Sequence, residues 1–300
     1  MNQYLAVWLL LCLIWGSTWV FIKRGLDDWP PFTFAAMRFL LAAAILWMIV
    51  LLRRTSLPRA RRDWLMMAGL GCISFALNFS LVFWGENRIP SGLTAVLQSV
   101  IPAFGLIIAH HYLPGERITP AKLIGVAIGI TGVTVIFLGQ MQIAGSAALW
   151  GSAAIVGSAV CVSYTNVLIK AYCGHLDTFL MVAAQMTFGL VPLFALSWLV
   201  EGGPFKLRWT TNATVALIYL AVVGSAIALS LYYWLVKKIA VTKTLLISLV
   251  TPVVALLIGW LARGEVLNWR LGLGSAAILA GIGIIVMPKA SGKKMKIQSR

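Results

Sequence analysis

Ten apolar stretches of about 20 residues each, joined by short loops, account for most of this sequence. They lie at approximately 4–23, 32–52, 64–86, 92–111, 119–138, 148–170, 178–200, 213–236, 243–262 and 268–287. Because roughly 20 residues of α-helix cross a hydrocarbon core of about 30 Å, each stretch is long enough to span a bilayer. Only 11% of the 300 residues are charged, against about 25% in soluble domains. The sequence therefore predicts an all-α polytopic membrane protein with ten transmembrane helices.

The basic residues occupy the short loops between the apolar stretches and produce the net charge of +16. Nucleic-acid-binding proteins instead cluster Lys and Arg on one folded face, so the predicted partner is a lipid bilayer and not nucleic acid. Ten spans place both termini on one side, which would carry 16 Lys and Arg residues against 7 on the other. Since cytoplasmic loops carry the basic excess, we predict a multi-pass protein of the bacterial inner (plasma) membrane with both termini cytoplasmic.

The two halves of the sequence match each other at a nearly constant offset. A shift of 150 residues pairs Trp84 with Trp234, Thr94 with Thr244 and Pro102 with Pro252. Five spans in each half put the second copy into the membrane from the opposite side, so the repeats are predicted to be inverted. Inverted repeats are typical of secondary transporters that work by alternating access. The predicted organisation is a first five-helix repeat over 1–145, a second over 146–288 and a basic cytoplasmic tail over 289–300.

Several short motifs, in the same order along the chain, resemble those of a known family. They are Trp15-Gly16-Ser17-Thr18-Trp19, Ser91-Gly92-Leu93-Thr94-Ala95-Val96, Gly115-Glu116-Arg117 and, in the second half, Gly264-Glu265. Together they resemble the EamA branch of the drug/metabolite transporter superfamily, and within it the YddG-type amino-acid exporters most. The resemblance covers roughly residues 5–287 and implies a ten-helix exporter of small metabolites.

Two prolines at repeat-related positions mark a candidate substrate site. Pro102 and Pro252 fall near the centres of the fourth and ninth stretches. A proline within a helix frees the carbonyl four residues earlier, here that of Gln98 and that of Ser248. Such a carbonyl must face protein, water or substrate, because leaving it unpaired in hydrocarbon costs several kcal/mol. A kink satisfied by a neighbouring helix remains the alternative to a substrate contact.

Polar and aromatic residues inside the apolar stretches complete the candidate site. A charge at the position of Arg38 indicates either a structural anchor that reaches the outer surface or a contact to a substrate carboxylate. Amides and aromatic pairs within the stretches likewise either pack across helices or line a cavity. The predicted substrate-binding residues are Trp15, Thr18, Arg38, Asn78, Phe79, Gln98, Pro102, Tyr164, Tyr232, Ser248 and Pro252.

All eight acidic residues lie at the ends of stretches or in loops, and Glu86 is the one predicted near a cavity mouth. Proton-coupled pumps of lipophilic cations need a buried carboxylate, so this placement favours a facilitator or uniporter. With no phosphate-binding Walker loop and no intramembrane histidine cluster, the sequence predicts no ATP use, no enzymatic activity, no cofactor and no metal.

The resulting prediction is a monomeric secondary transporter that exports small metabolites, preferably amino acids including aromatic ones. Three alternatives remain open at this stage: a proton-coupled multidrug exporter, a carrier of phosphorylated or nucleotide-linked metabolites, and a lipid-handling protein. A carrier of phosphorylated compounds needs paired basic residues in the cavity, whereas the sequence offers Arg38 alone within a span.

Overall fold

The computed structural model describes residues 3–89, 94, 97–137, 145–203, 207–263 and 269–286. Within these ranges the regular secondary structure is entirely helical. The helices are α1 (Gln3–Leu26), α2 (Pro31–Leu52), α3 (Arg61–Gly71), α4 (Asn78–Glu86), α5 (Ile101–Tyr112), α6 (Pro120–Phe137), α7 (Gly145–Tyr172), α8 (Thr178–Glu201), α9 (Thr211–Ala221), α10 (Ala228–Lys238), α11 (Val241–Leu245), α12 (Ile247–Arg263) and α13 (Trp269–Val286). The basic tail at 289–300 and the Gly264-Glu265 motif lie outside the described residues.

Six helical stretches among the described residues are long and apolar enough to cross a membrane. They are Gln3–Leu26, Pro31–Leu52, Arg61–Glu86, Gly145–Tyr172, Thr178–Glu201 and Thr211–Lys238. Shorter apolar helices cover Pro120–Val135, Val241–Val254 and Gly272–Ile285. The outer surface of the bundle carries large exposed apolar side chains, as a lipid-facing surface requires. Examples are Leu51, Leu52, Val191, Leu199, Leu273 and Leu279. The protein is a multi-pass membrane protein, and ten spans remain a prediction.

Two π-helical segments interrupt two of these long helices at equivalent positions. Cys72–Leu77 joins α3 to α4, and Val222–Ile227 joins α9 to α10. The offset between the segments is 150 residues, the same offset that relates the two halves of the sequence. π-helical turns are rare and are frequently found at functional sites. The repeat is therefore a property of the backbone as well as of the sequence.

The helix contacts follow the same two-fold pattern. Helix α1 packs against α12, α9 and α10, and its counterpart α7 packs against α5 and α4. The repeat-related helices α2 and α8 pack directly on each other, and so do α6 and α13. Both halves thus contribute to one shared core rather than to two separate bundles.

Helices α6 and α13 cross at glycines and form a pair with its own small core. A Cβ atom on Gly125 would lie 2.6 Å from the Gly281 carbonyl oxygen, and one on Gly132 would lie 2.6 Å from that of Gly274. No real Cβ atom sits that close to a backbone oxygen, so these positions require glycine. These four glycines form the face on which α6 and α13 pack against each other.

The fourth and ninth predicted spans are both interrupted. The chain turns at Ser99 and Val100, so Pro102 lies in the first turn of α5 and not in the middle of a helix. A proline there costs no helical hydrogen bond, because the N–H groups of a first turn have no partner within the helix. The prediction of a mid-helix Pro102 is thus corrected. In the ninth span the break falls at Leu246, and Pro252 lies within α12.

Two glutamates hold helix N-termini in the same manner at two distant points of the fold. The Glu201 carboxylate accepts hydrogen bonds from the backbone N–H groups of Phe32 (2.7 Å) and Thr33 (2.8 Å) and from the Thr33 hydroxyl (2.7 Å). Glu116 accepts from the N–H of Val241 (2.6 Å), the N–H of Thr242 (3.0 Å) and the Thr242 hydroxyl. A negative charge at a helix N-terminus pairs orphaned N–H groups and complements the helix dipole.

Replacing either glutamate by alanine (Glu116→Ala or Glu201→Ala) is expected to destabilise the protein by roughly 2–3 kcal/mol, since hydrogen bonds to a charged acceptor are lost and buried N–H groups remain unpaired. The measurement is thermal unfolding in detergent, with Asp27→Ala as the control because Asp27 is an exposed acid. Unchanged melting temperatures for both glutamate variants would show that these contacts do not stabilise the fold.

Candidate functional site

A cavity of about 170 Å³ lies between the two halves of the molecule. Its walls come from α1, α2, α4, α5, α7, α10, α11 and α12 and from both π-helical segments. The volume is comparable with the roughly 150 Å³ of an engineered protein cavity that admits benzene, so this conformation suits a small solute. The lining residues are Trp15, Thr18, Trp19, Ile22, Arg38, Ser74, Asn78, Phe79, Val82, Gln98, Ile101, Val162, Thr165, Asn166, Gly224, Leu229, Tyr232, Tyr233, Thr244, Leu245, Ile247, Ser248 and Thr251.

The structure brings eight of the eleven predicted site residues to this cavity. They are Trp15, Thr18, Arg38, Asn78, Phe79, Gln98, Tyr232 and Ser248. Three lie elsewhere. Pro102 and Pro252 are buried in their helices without lining the cavity. Tyr164 faces Tyr112 on α5, with ring centroids 6.1 Å apart. The Ser248 carbonyl, which Pro252 leaves without an amide partner, accepts from the Thr251 hydroxyl at 3.4 Å, so a local contact replaces the lost one.

Arg38 is held inside the protein by the second π-helical segment and does not reach the outer surface. Its Nε donates to the Ser225 hydroxyl at 2.8 Å and its Nη2 to the Gly224 carbonyl at 3.3 Å. The guanidinium carbon also lies 5.2 Å and 5.3 Å from the ring centroids of Phe39 and Phe79. With 3% of its surface exposed, Arg38 is a buried cation that borders the cavity. These contacts orient the guanidinium through one edge and leave Nη1 without a partner among the described residues.

Asn78 stands at the end of the first π-helical segment and turns its amide oxygen away from the backbone. Its Nδ2 donates to the Ser74 carbonyl at 3.2 Å. Because a carbonyl only accepts hydrogen bonds, the nitrogen must face Ser74, which fixes the orientation of the amide. Within the described part of the chain, the Asn78 Oδ1 atom is buried and has no donor. Asn78 thereby presents an acceptor at the cavity.

A second amide, on α7, repeats this arrangement on the other side of the cavity. Asn166 Nδ2 donates to the Tyr232 hydroxyl at 2.9 Å, and Asn166 Oδ1 has no partner among the described residues. The Tyr232 ring packs on Trp15, with centroids 4.8 Å apart. Trp15 in turn donates its indole N–H to the Gly224 carbonyl at 3.4 Å. The aromatic side chains thus have fixed positions, and their ring faces form a large apolar wall.

Unpaired donors and unpaired acceptors therefore occur in the same cavity. The donors include Arg38 Nη1 and the indole N–H of Trp19, the acceptors include the Oδ1 atoms of Asn78 and Asn166, and the Ser74 hydroxyl can act as either. Buried polar atoms without partners are costly in a folded protein, so a set of them around one cavity points to a ligand that completes their hydrogen bonds. Among the described lining residues, Arg38 is the one with a full charge.

Sequence reasoning missed several lining residues. Ser74, Thr165 and Thr244 are short hydroxyl side chains that sequence alone cannot distinguish from hydroxyls bonded within their own helix. Asn166 and Tyr233 are recognisable as intramembrane polar residues. The signal that singles out Asn166 is its unpaired oxygen, which depends on the fold. The π-helical segments that hold Arg38 and Asn78 left no mark in the hydropathy pattern.

A sequence profile described as the EamA-like transporter family matches residues 3–138 and again residues 149–287. The chain belongs to the EamA-like transporter family. The matched residues cover most of the chain in two copies, and the family consists of transporters and not enzymes. This EamA-like protein is therefore a membrane transporter of the drug/metabolite type. The cavity between its two halves is the natural place to look for its substrate site.

Two curated relatives and one solved structure extend this comparison. The uncharacterized inner membrane transporter YedA of Escherichia coli (strain K12) is 27% identical over 280 residues, covering 93% of this chain and 89% of YedA. A probable amino-acid metabolite efflux pump of the same strain is 28% identical over 308 residues, covering 97% of each chain. A solved structure, described as the crystal structure of a protein, superposes on this chain with a TM-score of 0.79. The two chains are 20% identical, and the match covers 95% of this chain and 97% of the other. The last comparison supports the fold alone.

One premise of the sequence argument needs correction in this EamA-like transporter. Glu86 is the last residue of α4, as expected for a residue at a span end, but its side chain is fully buried. Among the described residues, neither of its carboxyl oxygens has a hydrogen-bond partner. It is also not one of the lining residues of the cavity. Burial was invisible in sequence because it depends on how α4 packs against α2 and α7. The argument for a facilitator, which required no buried acid, therefore loses its basis.

Proposed function

We propose that this transporter exports small zwitterionic metabolites, amino acids above all, through the cavity between its halves. The observation that carries the proposal is the set of unpaired donors and acceptors around that cavity. A substrate carboxylate would accept hydrogen bonds from Arg38 Nη1 and from the Trp19 indole N–H. A substrate ammonium group would donate hydrogen bonds to the Oδ1 atoms of Asn78 and Asn166. The wall of Trp15, Phe79 and Tyr232 leaves room for an apolar or aromatic side chain.

Charge disfavours the other substrate classes. A lipophilic cation would meet Arg38 with no carboxylate among the described lining residues to receive it. A phosphorylated metabolite carries about two negative charges near neutral pH, for which paired basic residues are the usual partners. An uncharged amphiphile would leave Arg38 unpaired. The name of the E. coli efflux pump, which refers to amino-acid metabolites, agrees with a zwitterionic substrate for this chain.

For the transport cycle we propose ten spans arranged as two inverted five-helix repeats, over 1–145 and 146–288, that alternate access to the shared cavity. The repeat-related π-helical segments and helix contacts support this arrangement. Both termini are proposed to be cytoplasmic, which the basic residues of the loops favour. The protein is proposed to act as a monomer in a bacterial inner membrane without ATP, and YedA, described as an inner membrane transporter, supports that location.

The decisive experiment uses proteoliposomes that contain the full-length protein and a mixture of labelled amino acids. We expect efflux of selected amino acids. We expect little or no flux of the matching amines, which lack the carboxylate, or of the matching carboxylic acids, which lack the ammonium group. Equal efflux of an amine and of its matching amino acid would show that Arg38 does not recognise the substrate carboxylate. Transport of a lipophilic cation in place of amino acids would favour the multidrug alternative.

A second test addresses the amide acceptors. Asn78→Ala removes one of the two oxygens assigned to the ammonium group, and we expect amino-acid affinity to fall by roughly 10-fold, the effect of about 1.4 kcal/mol. The matched control is Gln185→Ala, which removes a buried amide outside the described cavity lining. Competition binding in detergent gives the affinities. If Asn78→Ala, Gln98→Ala and Tyr232→Ala all transport as the wild type does, the cavity is not the substrate site.

A further inference from the structure

One end of the cavity is rich in apolar side chains and lies in a different part of the bundle from Arg38. Helix α2, which carries Arg38, packs against α4, α8, α9 and the second π-helical segment. The short helix α11 packs against α5, α7 and α10. These four helices form what we call the apolar end of the cavity. Its apolar lining residues are Ile101, Val162, Leu229 and Leu245.

The two threonine hydroxyls at the apolar end already have partners within their own helices. Thr165 donates to the Cys161 carbonyl at 2.8 Å. Thr244 donates to the Ala240 carbonyl at 3.3 Å. The unpaired oxygen of Asn166 is the one already assigned to the substrate ammonium group. An apolar lining with satisfied hydroxyls suits a hydrocarbon or aromatic group, because a further polar group would lose its water there without gaining a partner.

Leu245 closes the apolar end by lying in a notch that Gly105 leaves on α5. A Cβ atom on Gly105 would overlap the Leu245 Cδ1 atom and would lie 3.5 Å from Leu245 Cγ. Leu245 is the last residue of α11, and Glu116 holds the first turn of that helix through two backbone N–H groups. The backbone that carries Leu245 is therefore fixed, and the depth of the apolar end depends on how far its side chain withdraws into the notch.

We propose that the contact between Leu245 and Gly105 sets the largest substrate side chain that the cavity accepts. With the substrate carboxylate at Arg38, the side chain of an amino acid extends toward the apolar end and meets Leu245. The missing side chain at Gly105 lets Leu245 recede and leaves room for an aromatic group. One methylene more or less in such a pocket changes selectivity by about 10- to 200-fold. The inference rests on the proposed function in placing the carboxylate at Arg38.

Two variants change the depth of the apolar end in opposite directions. Gly105→Ala displaces the end of the Leu245 side chain into the cavity, and we expect the affinity for tryptophan relative to alanine to fall by roughly 10-fold. Leu245→Ala deepens the apolar end and should raise the same ratio by roughly 10-fold. In the double variant the colliding atoms are gone, so its ratio should lie close to that of Leu245→Ala.

A matched pair of residues outside the cavity provides the control. Gly129 on α6 and Leu249 on α12 make the same kind of contact, since a Cβ on Gly129 would lie 2.7 Å from Leu249 Cδ1. Neither residue is among the described lining residues. Gly129→Ala and Leu249→Ala are expected to lower the melting temperature and to leave the ratio of the two affinities unchanged. A loss of packing lowers both affinities together, whereas a change of depth alters their ratio.

Isothermal calorimetry in detergent measures the affinities of the full-length protein for alanine, leucine, phenylalanine and tryptophan, and for the matching amines. An unchanged ratio in folded Gly105→Ala would overturn the proposal. If that variant does not fold, an unchanged ratio in Leu245→Ala overturns it as well. If amino acids fail to bind but the amines show the expected change of ratio, only the proposed function is contradicted. Absence of binding in both series would contradict both.

Discussion

Replacing Arg38 by methionine (Arg38→Met) is expected to weaken amino-acid binding by at least about 100-fold, equivalent to roughly 3 kcal/mol. The loss has two sources. The charge-assisted hydrogen bond to the substrate carboxylate disappears, and so do the bonds to Ser225 and Gly224 that orient the guanidinium. The affinity of Arg38→Lys is expected to lie between those of the wild type and Arg38→Met. A lysine keeps the charge but cannot contact the substrate and the second π-helical segment at once. Isothermal calorimetry in detergent gives the affinities.

Binding of an amine analogue provides the control for Arg38. An amine without a carboxylate makes no contact with Arg38 in this arrangement, so its weak binding should be insensitive to Arg38→Met. Thermal unfolding of each variant shows whether the fold survives. If Arg38→Met binds amino acids as tightly as the wild type does, the guanidinium serves only to hold α2 against the second π-helical segment.

The largest effect on folding is expected from a side chain at the crossing of α6 and α13. In Gly281→Val, the new Cβ would lie 2.4 Å from the Gly125 carbonyl oxygen and 3.0 Å from the Gly129 backbone nitrogen. Backbone atoms cannot rotate away as a side chain does, so the helices must separate. We expect a loss of about 3 kcal/mol or more, at the upper end of overpacking effects. Yield of folded protein and melting temperature in detergent measure it.

A matched control lies two residues away on the same helix. A Cβ on Gly283 meets no atom within 4 Å. Gly283→Val therefore adds the same side chain to the same helix without a clash, and it should leave the melting temperature nearly unchanged. Equal destabilisation by both variants would trace the effect to helix propensity. Full stability of Gly281→Val would show that the two helices do not cross this closely.

Most of the fold could be predicted from two features of the sequence, the length of its apolar stretches and its internal repeat. Apolar length identified the long helices, and the offset of 150 residues identified the relation between the halves. Arg38 was recognisable as a candidate site residue, because a cation within an apolar stretch is costly unless it is paired or faces a cavity.

What the sequence did not show depends on backbone detail and on packing. Pro102 predicts a break in a helix, but its exact location is set by the turn at Ser99 and Val100. A π-helical turn has no hydropathy signature, because one extra residue barely alters an apolar stretch. Glu86 was predicted at the end of a stretch, near a cavity mouth, and its complete burial depends on the helices packed around α4. The unpaired oxygens of Asn78 and Asn166 likewise emerge from three-dimensional partners.

The two π-helical segments also carry historical information. A π turn closes its hydrogen bonds over five residues instead of four, so it holds about one residue more than an α turn. Cys72–Leu77 and Val222–Ile227 occupy the same place in each half. Because the family profile matches the chain in two copies, duplication of one unit that already contained such a turn accounts for both segments. A single such unit, paired with a second copy of itself, would place two such turns around a common cavity.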